Sequence, residues 1–316
     1  MISARPGRRS GRNGSSFGVA VARTYHYRPV PFFLLAYVAT WIPWFLGVYL
    51  GAQPGWEAYA SLFSLVGLLG PIGATLFMIL TSGSTALKSD FKDRFFNLRR
   101  IRPVYAVIAI IMPFTVIGLS IWLSLGFGQS SDQFRLSGGA NLLPMIVLAL
   151  VLAPTCEEMG WHGYGVDALR ARFGMTQATL LFAALWCAWH APLVLISGTY
   201  QNLVAQMPNK IFVANFFVSI IPAAIIANWF YYKNDRSIGA AILLHAMLNA
   251  ASVLLNAGQV AKCIATLLYA AIAAALIVYD RAVFGAGPRN FLSSGTASET
   301  RRSANRDRAT PAAKER

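Results

Sequence analysis

Long apolar segments separated by short polar ones form the main pattern of this chain. A helix needs about 20 apolar residues to cross the hydrocarbon core of a membrane, and eight segments come near that length with continuous rather than alternating hydrophobicity. They cover residues 30–50, 59–80, 104–125, 142–161, 179–196, 211–232, 238–255 and 263–279. The pattern predicts an all-α fold, namely a polytopic membrane bundle of about eight transmembrane helices.

The composition agrees with a membrane protein. Hydrophobic residues make up 56% of the chain and charged residues 12%, whereas soluble domains use about 25% charged residues. We therefore expect a multi-pass integral protein of a bacterial inner membrane, with membrane lipids as its neighbours.

Basic residues lie almost all on one side of the predicted bundle. The chain holds 27 Lys and Arg against 12 Asp and Glu, a formal net charge of +15. All but Arg135, Lys210 and Lys262 fall in the tails or in loops on the side of the tails, and short loops rich in Lys and Arg stay in the cytoplasm. Both termini are therefore predicted to be cytoplasmic. No recognised nucleic-acid-binding motif accompanies the charge, so no nucleic-acid partner is expected.

Three regions follow from these patterns. Residues 1–29 and 281–316 are rich in Arg, Ser, Gly and Ala and have too little apolar content to fold alone. They are predicted to be basic disordered tails that lie near anionic lipid. Residues 30–280 form the predicted helical membrane domain.

Ionisable residues inside the spans indicate a site. Of the twelve acids, only Glu157 and Glu158 remain inside, and His162, His190 and His245 belong to the fourth, fifth and seventh spans. A charge near the bilayer core costs several kcal/mol, so such side chains face a protein interior or a wet cavity and mark function. We expect these acids and imidazoles to converge.

Helical spacing gives the two glutamates different tasks. Adjacent residues lie about 100° apart on a helix, whereas positions four apart share a face. Glu158 is therefore expected to pair with His162, and Glu157 to point toward the other helices.

The fifth and seventh spans carry further polar side chains at helical spacing. Trp186 precedes His190 by one turn, so its ring is predicted to wall the cavity beside the imidazole. His245 and Asn249 are again four apart, which aims two hydrogen-bond donors together.

Such a set of side chains suits the hydrolysis of an acyl bond. A carboxylate and an imidazole can hold and deprotonate a water molecule, and two donors can stabilise the oxyanion that forms when this water attacks a carbonyl. The sequence shows no serine elbow and no Cys–His signature of a protein nucleophile. Water is therefore the expected nucleophile.

Three motifs in this order resemble those of a known family. EEMGWHG at 157–163, WCAWH at 186–190 and HAMLN at 245–249 resemble the CAAX protease and bacteriocin-processing family of intramembrane glutamic endopeptidases, also called the Abi family. The resemblance covers about residues 142–256, the protease-like core. It implies a bundle typified by eight membrane helices, proteolysis in a cavity open toward the cytosol, no cofactor, and peptide or protein substrates that include lipidated ones.

The family's functional residues can be carried over to matching positions. Glu157 then corresponds to the general base and His190 to its partner in holding the water. His245 with Asn249 corresponds to the oxyanion hole.

Two positions depart from the family pattern. The family has arginine where this chain has His162, and phenylalanine where it has Trp186. Tryptophan keeps an aromatic wall. Arginine is permanently charged and bidentate, whereas histidine is uncharged over part of the neutral pH range. The support of Glu158, and with it activity, is therefore expected to be weaker or pH-dependent.

Other interpretations compete with a metal-free protease. Glu157, His190 and His245 also suit a catalytic zinc with an open position, although the usual H-E-x-x-H motif is absent. A bundle of this fold could instead be a non-catalytic scaffold or immunity-type protein that binds without cutting. A transporter is disfavoured because the sequence shows no internal repeat. Prenylated C-terminal tails, leader peptides and membrane-protein segments are the candidate substrates.

Overall fold

The computed structural model describes residues 25–136 and 142–292. Within these ranges the chain is helical, and its extended pairing is limited to a bridge between Leu136 and Leu255. The all-α prediction is therefore confirmed. The predicted tails fall mostly on residues 1–24 and 293–316, which lie outside the described residues, so their disorder there stays a prediction. Residues 281–284 of the predicted C-terminal tail instead form a short helix.

The helices have the following bounds. In chain order the α-helices of the described ranges are α1 (Pro29–Gly51), α2 (Glu57–Leu68), α3 (Gly70–Thr81), α4 (Thr85–Phe96), α5 (Pro103–Leu125), α6 (Leu142–Ile146), α7 (Ala153–Gly160), α8 (Val166–Arg170), α9 (Met175–Trp189), α10 (Tyr200–Gln206), α11 (Ile211–Lys233), α12 (Ile238–Leu254), α13 (Gln259–Tyr279) and α14 (Arg281–Phe284). Two π-helical segments, Val147–Leu152 and Trp161–Gly165, join α6 to α7 and α7 to α8. A 3-10 helix, Ala191–Leu195, extends α9 beyond His190.

Several of these helices are long and apolar enough to cross a membrane. In the described part of the chain they are α1, α5, α9 with its 3-10 extension, α11 and α13. Helices α2 and α3, bent by 42° at the break between them, add a sixth if the pair is one span. The predicted count of eight further requires α12, which is apolar but has only 17 residues, and the α6–α8 segment. That count stays a prediction.

The break between α2 and α3 lies against α1. A Cβ at Gly70 would lie 2.0 Å from Thr40 Oγ1, and one at Gly67 would lie 2.3 Å from the indole of Trp44. The indole of Trp44 donates to the Ser64 carbonyl (2.9 Å). Glycine permits this close approach because it has no side chain, so α1 and the bent pair pack as one unit.

The α6–α8 segment differs from the straight span predicted for 142–161. Its middle helix, α7, packs directly on α3, where a Cβ at Gly160 would lie 2.3 Å from Pro71 Cβ. The Thr75 hydroxyl donates to the Gly160 carbonyl (3.1 Å). A π-helical segment inserts an extra residue into a helix and is frequent at functional sites. Here two such segments flank α7, the helix that carries Glu157 and Glu158.

The interior holds more acids than the sequence pattern predicts. Asp167 in α8 is 0% exposed, because the helical segment continues past residue 161 and buries this side chain beside Arg94 and Arg236. The prediction that Glu157 and Glu158 are the only interior acids is therefore wrong.

Candidate active site

Glu158 lies at the centre of the polar cluster and contacts two imidazoles. It is 1% exposed. Its Oε2 pairs with His162 Nδ1, and its Oε1 lies 2.7 Å from His245 Nδ1. The predicted pair of Glu158 and His162 is confirmed. The contact with His245 was not predicted, because it joins helices 87 residues apart in sequence.

His162 is held from both ring nitrogens. Its Nε2 lies 3.0 Å from Asn228 Oδ1, and Asn228 Nδ2 donates to Thr179 Oγ1 (3.0 Å). The ring packs on Tyr231, with centroids 4.7 Å apart. Asn228 is therefore the residue that fixes the far side of His162.

Glu157 takes a different partner, as its offset on the helix predicts. The indole of Trp186 donates to Glu157 Oε2 (2.9 Å), and Glu157 is 5% exposed. The Trp186 ring stacks on Phe182, with centroids 5.5 Å apart and planes 16° apart. The sequence pattern predicts Trp186 as an aromatic wall but gives no sign of its hydrogen bond to Glu157.

Trp186 also contacts both of the other imidazoles of the predicted site. Its ring centroid lies 5.9 Å from that of His190 and 5.6 Å from that of His245. His190 ends α9, where its Nδ1 donates to the Trp186 carbonyl (2.7 Å). This bond leaves Nε2 of a neutral ring as an acceptor. The structure thus gathers Glu157, His190 and His245 around one indole.

The spacing of His245 and Asn249 predicts that their donor groups point to one place. In the structure, each of the two residues already directs one donor group to another protein group. His245 uses Nδ1 toward Glu158, and Asn249 Nδ2 donates to the Ala149 carbonyl (2.7 Å). Ala149 belongs to the first π-helical segment. The second amide hydrogen of Asn249 and Nε2 of His245 remain for another partner.

Arg94, which the sequence pattern places only among the cytoplasmic basic residues, is buried in the structure. It is 0% exposed, and its guanidinium donates to the carbonyls of His162 (2.8 Å) and Gly163 (2.9 Å) and to the Tyr231 hydroxyl (2.7 Å). Arg94 in α4 thus fixes the π-turn that carries His162. Its distance of 68 residues from His162 left no local signal in the sequence.

Asp167 completes this network of charges. Its Oδ2 lies 2.5 Å from Arg236 Nη2 and 3.4 Å from Arg94 Nη1, and the Tyr231 and Tyr232 hydroxyls donate to it. The positive charges of Arg236 and Arg94 compensate the cost of burying the Asp167 carboxylate. The network ties α4, α8 and α11 beneath the site.

The zinc interpretation requires Glu157, His190 and His245 to bind one ion together. Among residues 25–136 and 142–292, no three His, Cys, Asp or Glu side chains are placed to hold one metal ion. Glu157 and His190 are instead directed to Trp186, and His245 to Glu158.

A buried acid–imidazole site inside an apolar helical bundle has the features of a membrane-embedded hydrolase. Residues 139–251 match the family model described as Type II CAAX prenyl endopeptidase Rce1-like. The chain is also 38% identical over 266 residues to CAAX prenyl protease 2 of Methanococcus maripaludis, an alignment that covers 83% of this chain and 97% of that protein. The chain belongs to the CAAX prenyl protease family.

Membership confirms the resemblance seen in the three motifs. The protein is an integral membrane endopeptidase, hence a hydrolase, and it acts on peptide or protein substrates. The family assignment therefore favours an enzyme over the non-catalytic scaffold.

Proposed function

We propose that this endopeptidase hydrolyses a peptide bond near the cytoplasmic membrane face with a water molecule activated by Glu157 and His190. The observation that carries the proposal is the position of Trp186. Its indole donates to Glu157 (2.9 Å), and its ring lies within 6 Å of both His190 and His245. Trp186 thus contacts Glu157, His190 and His245, the three groups that the proposal assigns to the reaction.

In the proposed reaction, His190 orients the water and Glu157 takes its proton. Because His190 Nδ1 donates to a carbonyl, Nε2 accepts one hydrogen of the water. Glu157 removes the other proton while the water oxygen bonds to the scissile carbonyl carbon, whose oxygen becomes the oxyanion. Glu157 then returns the proton to the amide nitrogen, the C–N bond breaks, and a carboxylic acid and an amine leave.

His245 and Asn249 are the proposed oxyanion donors. A doubly protonated His245 donates Nδ1–H to Glu158 (2.7 Å) and Nε2–H to the oxyanion. Asn249 offers the amide hydrogen that the Ala149 carbonyl does not use. Preorganised donors of this kind stabilise the charge that develops in the transition state.

His162 replaces the family's arginine in this proposal as an imidazolium. Asn228 presents its carbonyl oxygen to Nε2 (3.0 Å), so that nitrogen carries a hydrogen. A Glu158 carboxylate at Nδ1 requires a second hydrogen there. The doubly protonated ring satisfies both contacts and supplies the positive charge that the arginine would bring.

The proposed reaction needs no metal cofactor, and the relative's name indicates the class of substrate. We propose that no metal takes part, because the carboxylate and the imidazole between them provide the base and the second contact that a water nucleophile needs. The relative named CAAX prenyl protease 2 supports prenylated CAAX-type peptides as substrates. Activity is expected to survive strong chelators, and abolition by chelation with recovery on zinc alone would contradict this part.

The catalytic assignment is tested with purified variants in detergent, assayed for peptide cleavage and for thermal unfolding. Glu157→Gln keeps the shape of the side chain but removes the base, so turnover is expected to fall by about 10²–10⁴ with little change in Tm. Asn249→Ala is expected to cost about 10²–10³ in turnover. The double variant should lose far less than the product of the two effects, since residues that act as a unit are not additive.

Glu158→Gln is the matched comparison, because it makes the same chemical change one residue away. Glu158 supports two imidazoles but does not react, so partial loss of turnover with a lowered Tm is expected. Wild-type turnover in Glu157→Gln together with an inactive Glu158→Gln would reverse the two roles. Loss of folding in all three variants would mean that these residues are structural.

A further inference from the structure

Residues 285–292, which follow α14, return to the bundle beside the segment that carries the site. The backbone amide of Arg289 donates to the Arg170 carbonyl at the end of α8 (2.8 Å). The side-chain amide of Asn290 donates to the Tyr25 carbonyl (3.1 Å), ahead of α1. We call residues 285–292 the C-terminal clasp. The clasp is thus tied to α8 and to the segment before α1, although the sequence pattern predicts disorder for this part of the chain.

Phe291 of the clasp presents its ring to the charge network beneath the site. The ring centre lies 4.2 Å from Cζ of Arg236. The ring also stacks on Tyr232, with centroids 5.7 Å apart and planes 18° apart. A guanidinium over an aromatic face is attracted by the ring quadrupole, and more strongly where water is excluded. Phe291 therefore covers one side of Arg236, whose side chain is only 12% exposed.

Arg236 adopts a backbone conformation that needs support from the rest of the protein. Its φ is 64° and that of the preceding Asp235 is 51°, a left-handed region that residues other than glycine rarely occupy. Such a conformation persists where surrounding contacts hold it, and it is frequent near functional sites. The guanidinium of Arg236 pairs with Asp90 (2.9 Å) and Asp167 (2.5 Å). These ion pairs and the Phe291 ring together hold the turn between α11 and α12.

This turn is connected to two imidazoles of the proposed site. Asp167, which pairs with Arg236, accepts a hydrogen bond from the Tyr231 hydroxyl (3.0 Å). That hydroxyl lies 3.1 Å from the carbonyl oxygen of His162. The turn also leads directly into α12, the helix that carries His245. A displacement of Arg236 would therefore move both of the imidazoles that contact the central glutamate.

We propose that Phe291 is a positioning residue for catalysis, which acts through Arg236 on His162 and His245. This inference rests on the proposed function, because it takes the two imidazoles as necessary for turnover. By covering the guanidinium, the ring keeps water and salt ions away from the ion pairs, and a covered pair is screened much less than an exposed one. Phe291 is not proposed to touch substrate, so its loss should lower kcat and leave KM unchanged.

The test measures kcat and KM of Phe291 variants in detergent, at a temperature below the Tm of every variant. Phe291→Ala is expected to lower kcat about three- to thirtyfold, the rate equivalent of a cation–π contact that is partly or fully desolvated. Phe291→Tyr keeps the ring face and should restore kcat. Phe291→Leu keeps an apolar cover without a ring face, so its kcat should stay below that of the wild type.

Salt provides a readout that packing alone would not change. In the wild type, kcat is expected to stay constant between about 0.05 M and about 0.5 M KCl, because the ion pairs of Arg236 are covered. In Phe291→Ala these pairs become accessible to ions, and kcat should fall further as the salt concentration rises. Phe127→Ala is the control variant. Phe127 is exposed in the connection after α5, so its replacement should change neither kcat nor the salt dependence of kcat.

Three results would overturn the inference. The first is a wild-type kcat in Phe291→Ala, with or without a lowered Tm, which would make Phe291 a structural residue only. The second is a Phe291→Leu variant as active as the wild type, because packing alone would then account for the residue. The third is a kcat of Phe291→Ala that does not respond to salt. Failure of the proposed function is distinguishable, since Glu157→Gln would then keep wild-type turnover whatever the Phe291 variants do.

Discussion

At the scale of single residues, Glu158 joins the two halves of the site. One oxygen pairs with His162 in its own helical segment and the other with His245 in α12. Removing one partner from a buried charged pair costs about 3–5 kcal/mol, because the remaining charge stays buried and unpaired. We therefore expect the position of His245, the proposed oxyanion donor, to depend on the contact between Glu158 and His162, although His162 is not proposed to touch substrate.

This coupling predicts a pH dependence. The proposed contacts of His162 need two ring hydrogens, and an imidazole, unlike a guanidinium, can lose one of them as pH rises. Turnover is therefore expected to decline on the alkaline side in wild type. His162→Arg, which cannot lose its charge, should flatten this decline, whereas His162→Gln should be less active at every pH. The measurement is kcat against pH.

His26→Gln is the control for general effects of removing a histidine. His26 is exposed in the segment before α1, so its replacement should leave the profile unchanged. If His162→Arg follows the wild-type profile at every pH, the imidazolium of His162 has no part in catalysis.

At the scale of helices, the position of the site depends on how closely α7 approaches α3. Gly160 contacts Pro71 through its backbone, two residues after Glu158. The Thr75 hydroxyl holds the Gly160 carbonyl from the same helix, α3. A side chain at 160 would force α7 outward and carry both glutamates with it.

Gly160→Ala is therefore expected to destabilise the protein by about 1–3 kcal/mol, the usual range for overpacking, and to lower turnover. Gly73→Ala is the matched control in α3, because a Cβ there meets nothing within 4 Å. Replacing an unobstructed helical glycine by alanine should stabilise by about 0.5–1 kcal/mol. Thermal unfolding of both variants in detergent measures the difference, and equal stability of the two would contradict the packing argument.

Sequence periodicity predicted the long helices well and the site segment less well. The predicted spans 104–125 and 211–232 agree with α5 and α11 within one residue at either end, because continuous apolar runs need no partner to be recognised. The π-turns around α7 were not predicted, since a hydrogen-bond register leaves no mark on composition. The short polar helix α4 was missed because it lacks an apolar stretch.

Among the polar residues of the site, contacts within one helix could be predicted from sequence, and contacts between distant segments could not. The pair of Glu158 and His162 could be predicted, because positions four apart meet on any helix. The roles of Arg94 and Asp167 could not, because their partners come from distant parts of the chain. Loop arginines and interior arginines look alike in a sequence until the helices that cover them are placed.

At the scale of the whole molecule, the outer surface is suited to lipid. Large apolar side chains such as Val30, Leu34, Ile42 and Trp122 are more than half exposed. Aromatic residues instead dominate the interior around the site, where Trp44, Trp161 and Trp189 are at most 2% exposed. The polar cluster is thus enclosed by a bundle whose exterior matches hydrocarbon, as a site of intramembrane proteolysis requires.

The last prediction concerns the path of this bundle through the membrane. The distribution of basic residues predicts that both termini are cytoplasmic. If so, and if the broken α6–α8 segment crosses once, the α5–α6 connection lies outside and the α8–α9 connection inside. In a variant without the native cysteines, Ser130→Cys is expected to react with an impermeant thiol reagent in intact cells, and Arg172→Cys only after lysis. Both residues are exposed: Ser130 lies in the α5–α6 connection and Arg172 in the α8–α9 connection. Labelling of both from outside would mean that α6–α8 enters and leaves on one side, and the count of eight spans would then be wrong.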